Sequence, residues 1–345
     1  MTAARAWLWI TVALTVGALA CAVALAPPAG APPALALSWL LFTGSSVHVA
    51  STGWLFTVPA VRAFARQHPV RCLWVPAALV MLGAAAAAAV GPAAFRWLLV
   101  PYFGWQFWHY QKQNIGVTAL AASAQRRAPL RPAERRPLLL GGASAVAALA
   151  ARPGLLGLAV TPVAHALFPL AEAAYAVAVA AGLAAIARRP RADRTAGFCA
   201  TYLVSLFFVL PVFCFASPYA AVGGMTVAHG LQYLVLVSLA AGQPGTAAGR
   251  SPQGSRLVRL AMLANIALIG GAALNAASHL HDAGPEGRLL FGAYLGAVMA
   301  HFVIDAGLWR MRDPLARRFV ATHLPYLVPA ASALPVRLPM DRQPI

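Results

Sequence analysis

The chain has 345 residues, of which 61% are hydrophobic and 10% are charged, and its mean hydropathy is +0.71. A soluble domain usually carries about 25% charged residues, so this composition excludes a water-soluble fold. The formal charge of +18 comes from arginines that cluster in short segments between apolar blocks. That distribution indicates membrane topology, and we expect no nucleic-acid partner.

The apolar blocks are about 20 residues long, which is the length that a helix needs to cross a hydrocarbon core of about 30 Å. Because a lipid-exposed backbone must satisfy its own hydrogen bonds, we predict an all-α, polytopic membrane bundle of about ten transmembrane helices. The predicted spans are 6–26, 34–58, 72–91, 95–122, 137–151, 166–187, 196–217, 219–241, 257–275 and 288–309. We expect one transmembrane domain over 1–312 and an irregular, Pro-rich cytoplasmic tail over 313–345, poorly ordered at its end.

The arginines alternate between the two sides of this arrangement. Segments that follow even-numbered spans contain Arg62, Arg66, Arg71, Arg126, Arg127, Arg131, Arg135, Arg136, Arg188, Arg189, Arg191, Arg194, Arg250 and Arg256. The opposite side contains only Arg96, Arg152 and Arg288. The positive-inside rule therefore predicts a protein of the bacterial inner membrane with both termini in the cytoplasm. The basic segment 59–71 is either a short interfacial helix or an ordinary loop.

Four predicted spans that run in the same direction each carry one histidine: His48, His109, His229 and His301. Each histidine lies about 10 to 14 residues from the outer end of its span, which corresponds to a depth of about 15 to 21 Å. Ionisable residues inside a membrane are costly and mark functional sites by default. We therefore predict one layer of histidines near the middle of the membrane.

Each histidine has a polar residue three or four positions later on the same helix face, namely Thr52, Gln113, Gln232 and Asp305. Such residues can hold the second ring N–H of a ligand histidine or complete its metal shell. Lys112 is the only lysine, and it can pair with Asp305 or extend towards the membrane surface. Asp305 and Lys112 are accordingly the predicted catalytic residues.

The four histidines are predicted to bind a transition metal as neutral imidazoles. Nitrogen ligands with one carboxylate favour non-haem iron, with copper or zinc as alternatives. Haem, held by two of the histidines as axial ligands, is a further alternative. Two other interpretations also remain, in which each histidine bonds locally between helices or the polar layer binds a transported proton, metal ion or anionic solute.

The histidine layer, together with the late His-x-x-x-Asp from His301 to Asp305 and the following Arg310, resembles the bacterial Brp/Blh-type membrane β-carotene-cleaving dioxygenases. The resemblance implies that buried histidines hold one non-haem iron, which activates O₂ against an apolar polyene. It covers only short segments around the four histidines. This chain is longer, has more predicted spans and lacks paired histidines one turn apart.

These patterns predict an integral membrane metal-dependent oxidoreductase, an oxygenase that acts on a lipid-soluble isoprenoid, carotenoid or acyl chain, with a possible redox partner. The first alternative is a membrane transporter or channel with a buried His/Asp polar site, in which helices broken at Gly and Pro are expected near the site. The second alternative is a haem-binding membrane electron carrier.

Overall fold

The computed structural model describes residues 2–28, 31–159, 162–243, 256–311 and 313–328, and these residues form helices without any strand. The α-helices are α1 (Ala3–Ala24), α2 (Leu35–Phe42), α3 (His48–Leu55), α4 (Pro59–Gln67), α5 (Val75–Ala89), α6 (Pro92–Ala124), α7 (Pro132–Ala151), α8 (Pro162–Ala187), α9 (Ala196–Phe207), α10 (Pro211–Cys214), α11 (Gly224–Gly242), α12 (Arg256–Ser278), α13 (Pro285–Leu308) and α14 (Pro314–His323). The predicted all-α fold is confirmed.

Among the described residues, seven helical segments are long and apolar enough to cross a membrane, which indicates a multi-pass membrane protein. They are Ala3–Ala24, Val70–Ala89, Ala166–Ala187, Ala196–Cys214, Tyr219–Gly242, Arg256–Ser278 and Pro285–Leu308. The other predicted spans, 34–58, 95–122 and 137–151, also coincide with helices, but these helices carry more polar or charged residues. The total of ten spans therefore stays a prediction.

Three π-helical turns continue directly into α-helices: Thr43–Val47 before α3, Val70–Trp74 before α5, and Tyr219–Gly223 before α11. A π turn contains one more residue than an α turn, so it rotates the side chains that follow by about 100° relative to an unbroken helix. Two of these turns precede helices that carry a candidate metal ligand. They therefore influence which way those ligands point.

The bundle packs its helices in pairs: α5 lies against α13, α1 against α11, α7 against α8, and α12 against α3. Gly83 of α5 and Gly292 and Gly296 of α13 allow the closest of these approaches, because a Cβ atom at each would meet the backbone of the other helix. Small residues at helix crossings are typical of membrane bundles. The histidine-bearing helices α3, α6, α11 and α13 contact one another within this frame.

An ion pair ties the start of α7 to the end of α8, outside the apolar spans. The side chains of Glu134 and Arg189 are fully buried, and a guanidinium nitrogen of Arg189 lies 2.8 Å from a carboxylate oxygen of Glu134. Arg131 donates to the same carboxylate, while Tyr202 donates to the Glu134 carbonyl. Burial alone would raise the pKa of Glu134, but the hydrogen bonds from both arginines outweigh it and hold the pKa below its usual value.

Two peripheral segments add detail to the sequence interpretation. The basic segment after α3 forms the helix α4, with Val61 and Phe64 buried and Arg62 exposed; its location in the interface stays a prediction. Part of the tail differs from the irregular chain that we expected, because α14 buries Phe319 and Val320 against the core. The expected disorder at the C-terminal end concerns residues 329–345, which lie outside the described residues.

Candidate metal centre

The four histidines of the predicted layer lie together in the centre of the bundle. Their ring centroids are 5.0 Å apart for His48 and His229, 4.9 Å for His48 and His301, 5.0 Å for His109 and His229, 5.6 Å for His109 and His301, and 6.4 Å for His229 and His301. Each ring comes from a different helix. The rings thus surround one small volume.

This volume is closed off from the surroundings. His48, His229 and His301 have exposed fractions of 3%, 0% and 2%, whereas His109 is half-buried. Phe302 stacks on the His109 ring at a centroid distance of 4.3 Å. The imidazoles are therefore held by aromatic and helical packing and are shielded from water.

Most of the ring nitrogens in this volume lack a partner. Within the described part of the chain, Nδ1 and Nε2 of His48, both nitrogens of His229, and Nε2 of His109 and of His301 are buried without a hydrogen bond. The backbone of Gly44 and Ser45 acts electrostatically on the His48 ring but lies outside hydrogen-bond geometry. A buried polar atom without a partner costs about 1–3 kcal/mol, so a cluster of six is unusual in a folded protein.

The spacing of the rings is suitable for one metal ion. A metal–nitrogen bond of about 2.0–2.1 Å places an ion about 3.2 Å from a ring centroid, so two ligand rings have centroids up to about 6.4 Å apart. The five centroid separations given above lie between 4.9 and 6.4 Å. Ligand atoms of His48, His229 and His301 are all within 4.8 Å of one another, and so are those of His109, His301 and Asp305. Ligand atoms around a tetrahedral ion with bonds of about 2.0–2.1 Å lie about 3.4 Å apart, so a bound ion would draw these ligand atoms closer together.

A chain of hydrogen bonds orients the His301 ring. Thr52 Oγ1 lies 2.7 Å from His301 Nδ1 and 2.9 Å from the Tyr233 hydroxyl, and that hydroxyl donates to Asp305 Oδ1 over 3.2 Å. The Asp305 carboxylate accepts, so donation runs from Nδ1–H through Thr52 and Tyr233 to Asp305. Nε2 is then left with its lone pair, 3.5 Å from Asp305 Oδ2. The hydrogen bond from Nδ1–H to Thr52 thus fixes the tautomer that a metal ligand needs.

The polar residues predicted as supports are arranged differently from the simple same-helix pairing. Thr52 contacts the ring of His301, on another helix. Gln113 donates to the backbone carbonyl of His229 and to the Gln232 side chain, and Gln232 donates to Thr15 and Asn114. In these bonds the two glutamines join α6 to α11 and α1 without touching an imidazole. They position the helices that carry the histidines.

Lys112 does not join the buried layer. Its side chain is exposed on α6, and the ammonium lies 5.6 Å from the centroid of the Trp108 ring, whereas Asp305 is 4% exposed and bonds to Tyr233. The expected pairing of Lys112 with Asp305 is therefore corrected. Its long aliphatic stem allows the ammonium to extend towards the membrane surface, which is the other arrangement that the sequence offered.

A close helix crossing brings two of the ligands together. A Cβ atom on Gly44 would overlap the backbone of Val227, and one on Gly230 would overlap the backbone of Gly44. Gly44 lies one turn before His48, and Gly230 directly follows His229. The absence of side chains at this crossing therefore allows the two rings to reach a centroid distance of 5.0 Å.

Two tyrosines that the sequence analysis did not single out also belong to the site. Tyr233 links Thr52 to Asp305, and it follows His229 by four positions, a spacing that could have identified it. Tyr110 lies 4.4 Å from the His229 ring between centroids and donates to Thr226. Its position next to His109 in sequence places it on another helix face, so no spacing argument could have found it.

The fold and site define a multi-pass helical protein with a buried cluster of four histidines. No protein-family model matches the chain. The curated proteins and the solved structures give no match either. The functional argument therefore depends on the geometry of the cluster.

Proposed function

We propose that the protein is an integral membrane metal-dependent oxidoreductase, an oxygenase that acts on a lipid-soluble substrate at an ion bound by His48, His109, His229 and His301. The observation that carries the proposal is the group of six buried ring nitrogens without partners. One bound ion would satisfy four of them at once. Local bonding between helices, the simplest alternative, predicts the opposite pattern, in which each ring has its own polar neighbour.

The ligand set favours iron among the possible ions. Imidazole suits iron, copper and zinc alike, but a carboxylate beside the histidines favours a harder ion than copper(I). Asp305 is that carboxylate, since it lies within ligand distance of His109 and His301. A bound iron would supply a coordination site for O₂ in a volume shielded from water.

The ring positions favour a single ion over haem. His229 and His301 have the separation of two axial ligands, 6.4 Å between centroids. However, His48 lies about 5 Å from both of these rings, and His109 lies on the other side at similar distances. These two rings occupy the plane in which a macrocycle would have to lie.

The surrounding residues have distinct roles in this proposal. Thr52 and Tyr233 hold His301 with Nε2 directed to the ion, and Asp305 either accepts their hydrogen bonds or contributes one oxygen to the ion. Phe302 supports the His109 ring and excludes water. Neutral ligands are required, because a protonated imidazole cannot bind a metal.

Elemental analysis of the purified full-length protein tests the proposal directly. We expect close to one iron, or another transition metal, per chain, and loss of most of it in His48→Ala and in His229→Ala. His281→Ala is the matched control, since its ring is exposed and pairs with Asp282. Wild-type protein without any transition metal, after expression in metal-supplemented medium, would contradict the proposal.

Proteoliposomes distinguish the oxygenase from a transporter that uses the same histidines. The oxygenase consumes O₂ when an isoprenoid is added and moves no cation, whereas a transporter takes up ⁵⁵Fe or ⁶⁵Zn without consuming O₂. The Pro-linked helix breaks expected for a transporter occur near Pro211 and Pro218, at the ends of predicted spans. The break at Tyr219–Gly223 continues directly into the helix that carries His229, so it supports the transporter as the alternative, and the O₂ and uptake measurements decide between the two functions.

A further inference from the structure

A large cavity leads towards the histidine cluster from one side of the bundle. Its volume is about 990 Å³, and it is bounded by the N-terminal halves of the helices that carry His48, His109, His229 and His301, together with the C-terminal end of α12. Under the predicted topology this side faces the outer leaflet. The metal centre uses none of these cavity residues, so the cavity requires its own explanation.

The floor of the cavity is one helical turn from the candidate ligands. Its deepest lining residues on three of the helices are Ser46, Gln106 and Thr226, which precede a histidine by two, three and three positions. A separation of three residues along a helix is about 4.5 Å. A molecule that fills the cavity therefore ends next to the imidazole rings.

Gln106 offers an unused hydrogen-bond acceptor at this floor. The residue is 6% exposed, and its amide nitrogen donates to the Tyr110 hydroxyl. The Tyr110 hydroxyl donates to Thr226, and the Thr226 hydroxyl donates to the Val222 carbonyl. This direction of donation fixes the amide. Its oxygen, Oε1, is then buried without a partner in the described structure.

The charge of the cavity restricts what can bind there. The described lining residues include no Lys, Arg, Asp or Glu, and the one imidazole among them, that of His279, is exposed and bonds to the Asn275 carbonyl. Neither a carboxylate nor an ammonium group would therefore find a counter-charge at the floor of the cavity. A carboxylate would also face the Gln106 oxygen, which is itself an acceptor. The remaining group that matches this oxygen is a neutral donor, for which a hydroxyl is the simplest choice.

Apolar side chains line the route between the cavity and the lipid. Leu35 and Trp39 line the cavity and are 74% and 59% exposed at its rim, while Leu99, Phe103 and Leu295 cover its walls. An apolar molecule can thus pass from the bilayer into the cavity without crossing water. This lining is suited to a hydrocarbon chain.

We propose that the cavity binds a long-chain apolar alcohol, with its hydroxyl donating to Gln106 Oε1 and the adjacent carbons lying against the histidine cluster. The inference deepens the proposed function by naming its substrate class. Binding itself depends on the cavity and on Gln106, and it does not require a metal. The two proposals can therefore fail separately.

Photoaffinity labelling of the metal-free, full-length protein tests the inference. The probes are farnesol that carries a diazirine and the methyl ether of the same molecule, which keeps the shape but loses the donor. We expect the alcohol to label cavity residues on α2 or α6, and to bind about five- to tenfold more tightly than the ether, as expected for one buried hydrogen bond. In Gln106→Leu the alcohol should bind no better than the ether.

Gln125→Leu is the matched control, because this glutamine bonds to Ala121 of its own helix and does not line the cavity. It should retain the preference for the alcohol. Equal binding of alcohol and ether to the wild-type protein, or labelling outside the cavity, would overturn the inference without reference to any variant. Preference for the alcohol in a protein that never binds metal would support the inference and contradict the proposed function alone.

Discussion

Replacement of Thr52 by valine tests the part of the site that geometry defines most closely. Valine has nearly the same shape as threonine but lacks the hydroxyl, which lies 2.7 Å from His301 Nδ1 and 2.9 Å from the Tyr233 oxygen. Two hydrogen bonds at about 1 kcal/mol each are lost, and the buried His301 Nδ1–H is left unpaired while Tyr233 keeps its bond to Asp305, so we expect Thr52→Val to destabilise the protein by about 2–4 kcal/mol. Loss of such a support typically weakens metal binding by about 10- to 100-fold.

Metal titration in a chelator-buffered series measures this effect, with the bound metal counted per chain at each free concentration. Thermal unfolding in detergent, with and without metal, reports the stability separately. Thr52→Ser retains the hydroxyl and should recover most of the affinity. Thr201→Val is the matched control, because Thr201 is 4% exposed but its hydroxyl bonds only to the Gly197 carbonyl of its own helix.

The reasoning would be refuted if Thr52→Val bound metal as tightly as the wild-type protein. An equal loss of affinity in Thr52→Val and Thr201→Val would also refute it, since that result would reflect general loosening of the bundle. The His301 tautomer would then be fixed by something other than Thr52.

Three other changes have expected outcomes. Gly230→Val should abolish metal binding, because the valine side chain would overlap the facing backbone and separate the helices. Gly116→Ala adds a Cβ atom where nothing lies within 4 Å and should retain metal binding. The metal content of each purified variant measures both effects. Glu134→Ala should lower the free energy of unfolding by about 3–5 kcal/mol, because it leaves the Arg189 charge buried and unpaired. The pKa of Glu134 is depressed in the folded state. The stability that the ionised carboxylate contributes is therefore present above the usual carboxyl pKa and is lost as the pH falls through the folded-state pKa. Urea unfolding at several pH values measures this loss. Lys112→Met should leave the metal content unchanged, and a loss of metal would restore Lys112 to the site.

Much of the fold could be predicted because membrane helices have a strong local pattern. The predicted spans coincide with observed helices to within a few residues, as for 95–122 and Pro92–Ala124. The packed helix Pro314–His323 was missed, since it is short and basic and is buried on one face only by contact with the core. The helix is amphipathic but only ten residues long, so it lacks the long apolar block that identifies a membrane span.

The depth of the histidines could also be predicted, since depth depends only on the distance along a helix. Which residue supports which ring could not, because that depends on how each helix is rotated and where helices cross. Thr52 was expected beside its own His48 but bonds to His301. Gln113 was expected at an imidazole but bonds to a backbone carbonyl.

The π-helical turn at Thr43–Val47 gives a physical reason for this limit. An α-helix through the same residues would direct His48 about 100° away from its observed direction, relative to α2. The extra residue instead turns His48 towards His229 and His301, with centroids 5.0 and 4.9 Å away, while Gly44 still packs against α11. The π-helical turn therefore allows Gly44 to pack closely against α11 while the His48 ring points to the centre of the bundle. Because π turns are costly and uncommon, their position directly before a buried, unpaired histidine favours a functional over a purely structural role for His48.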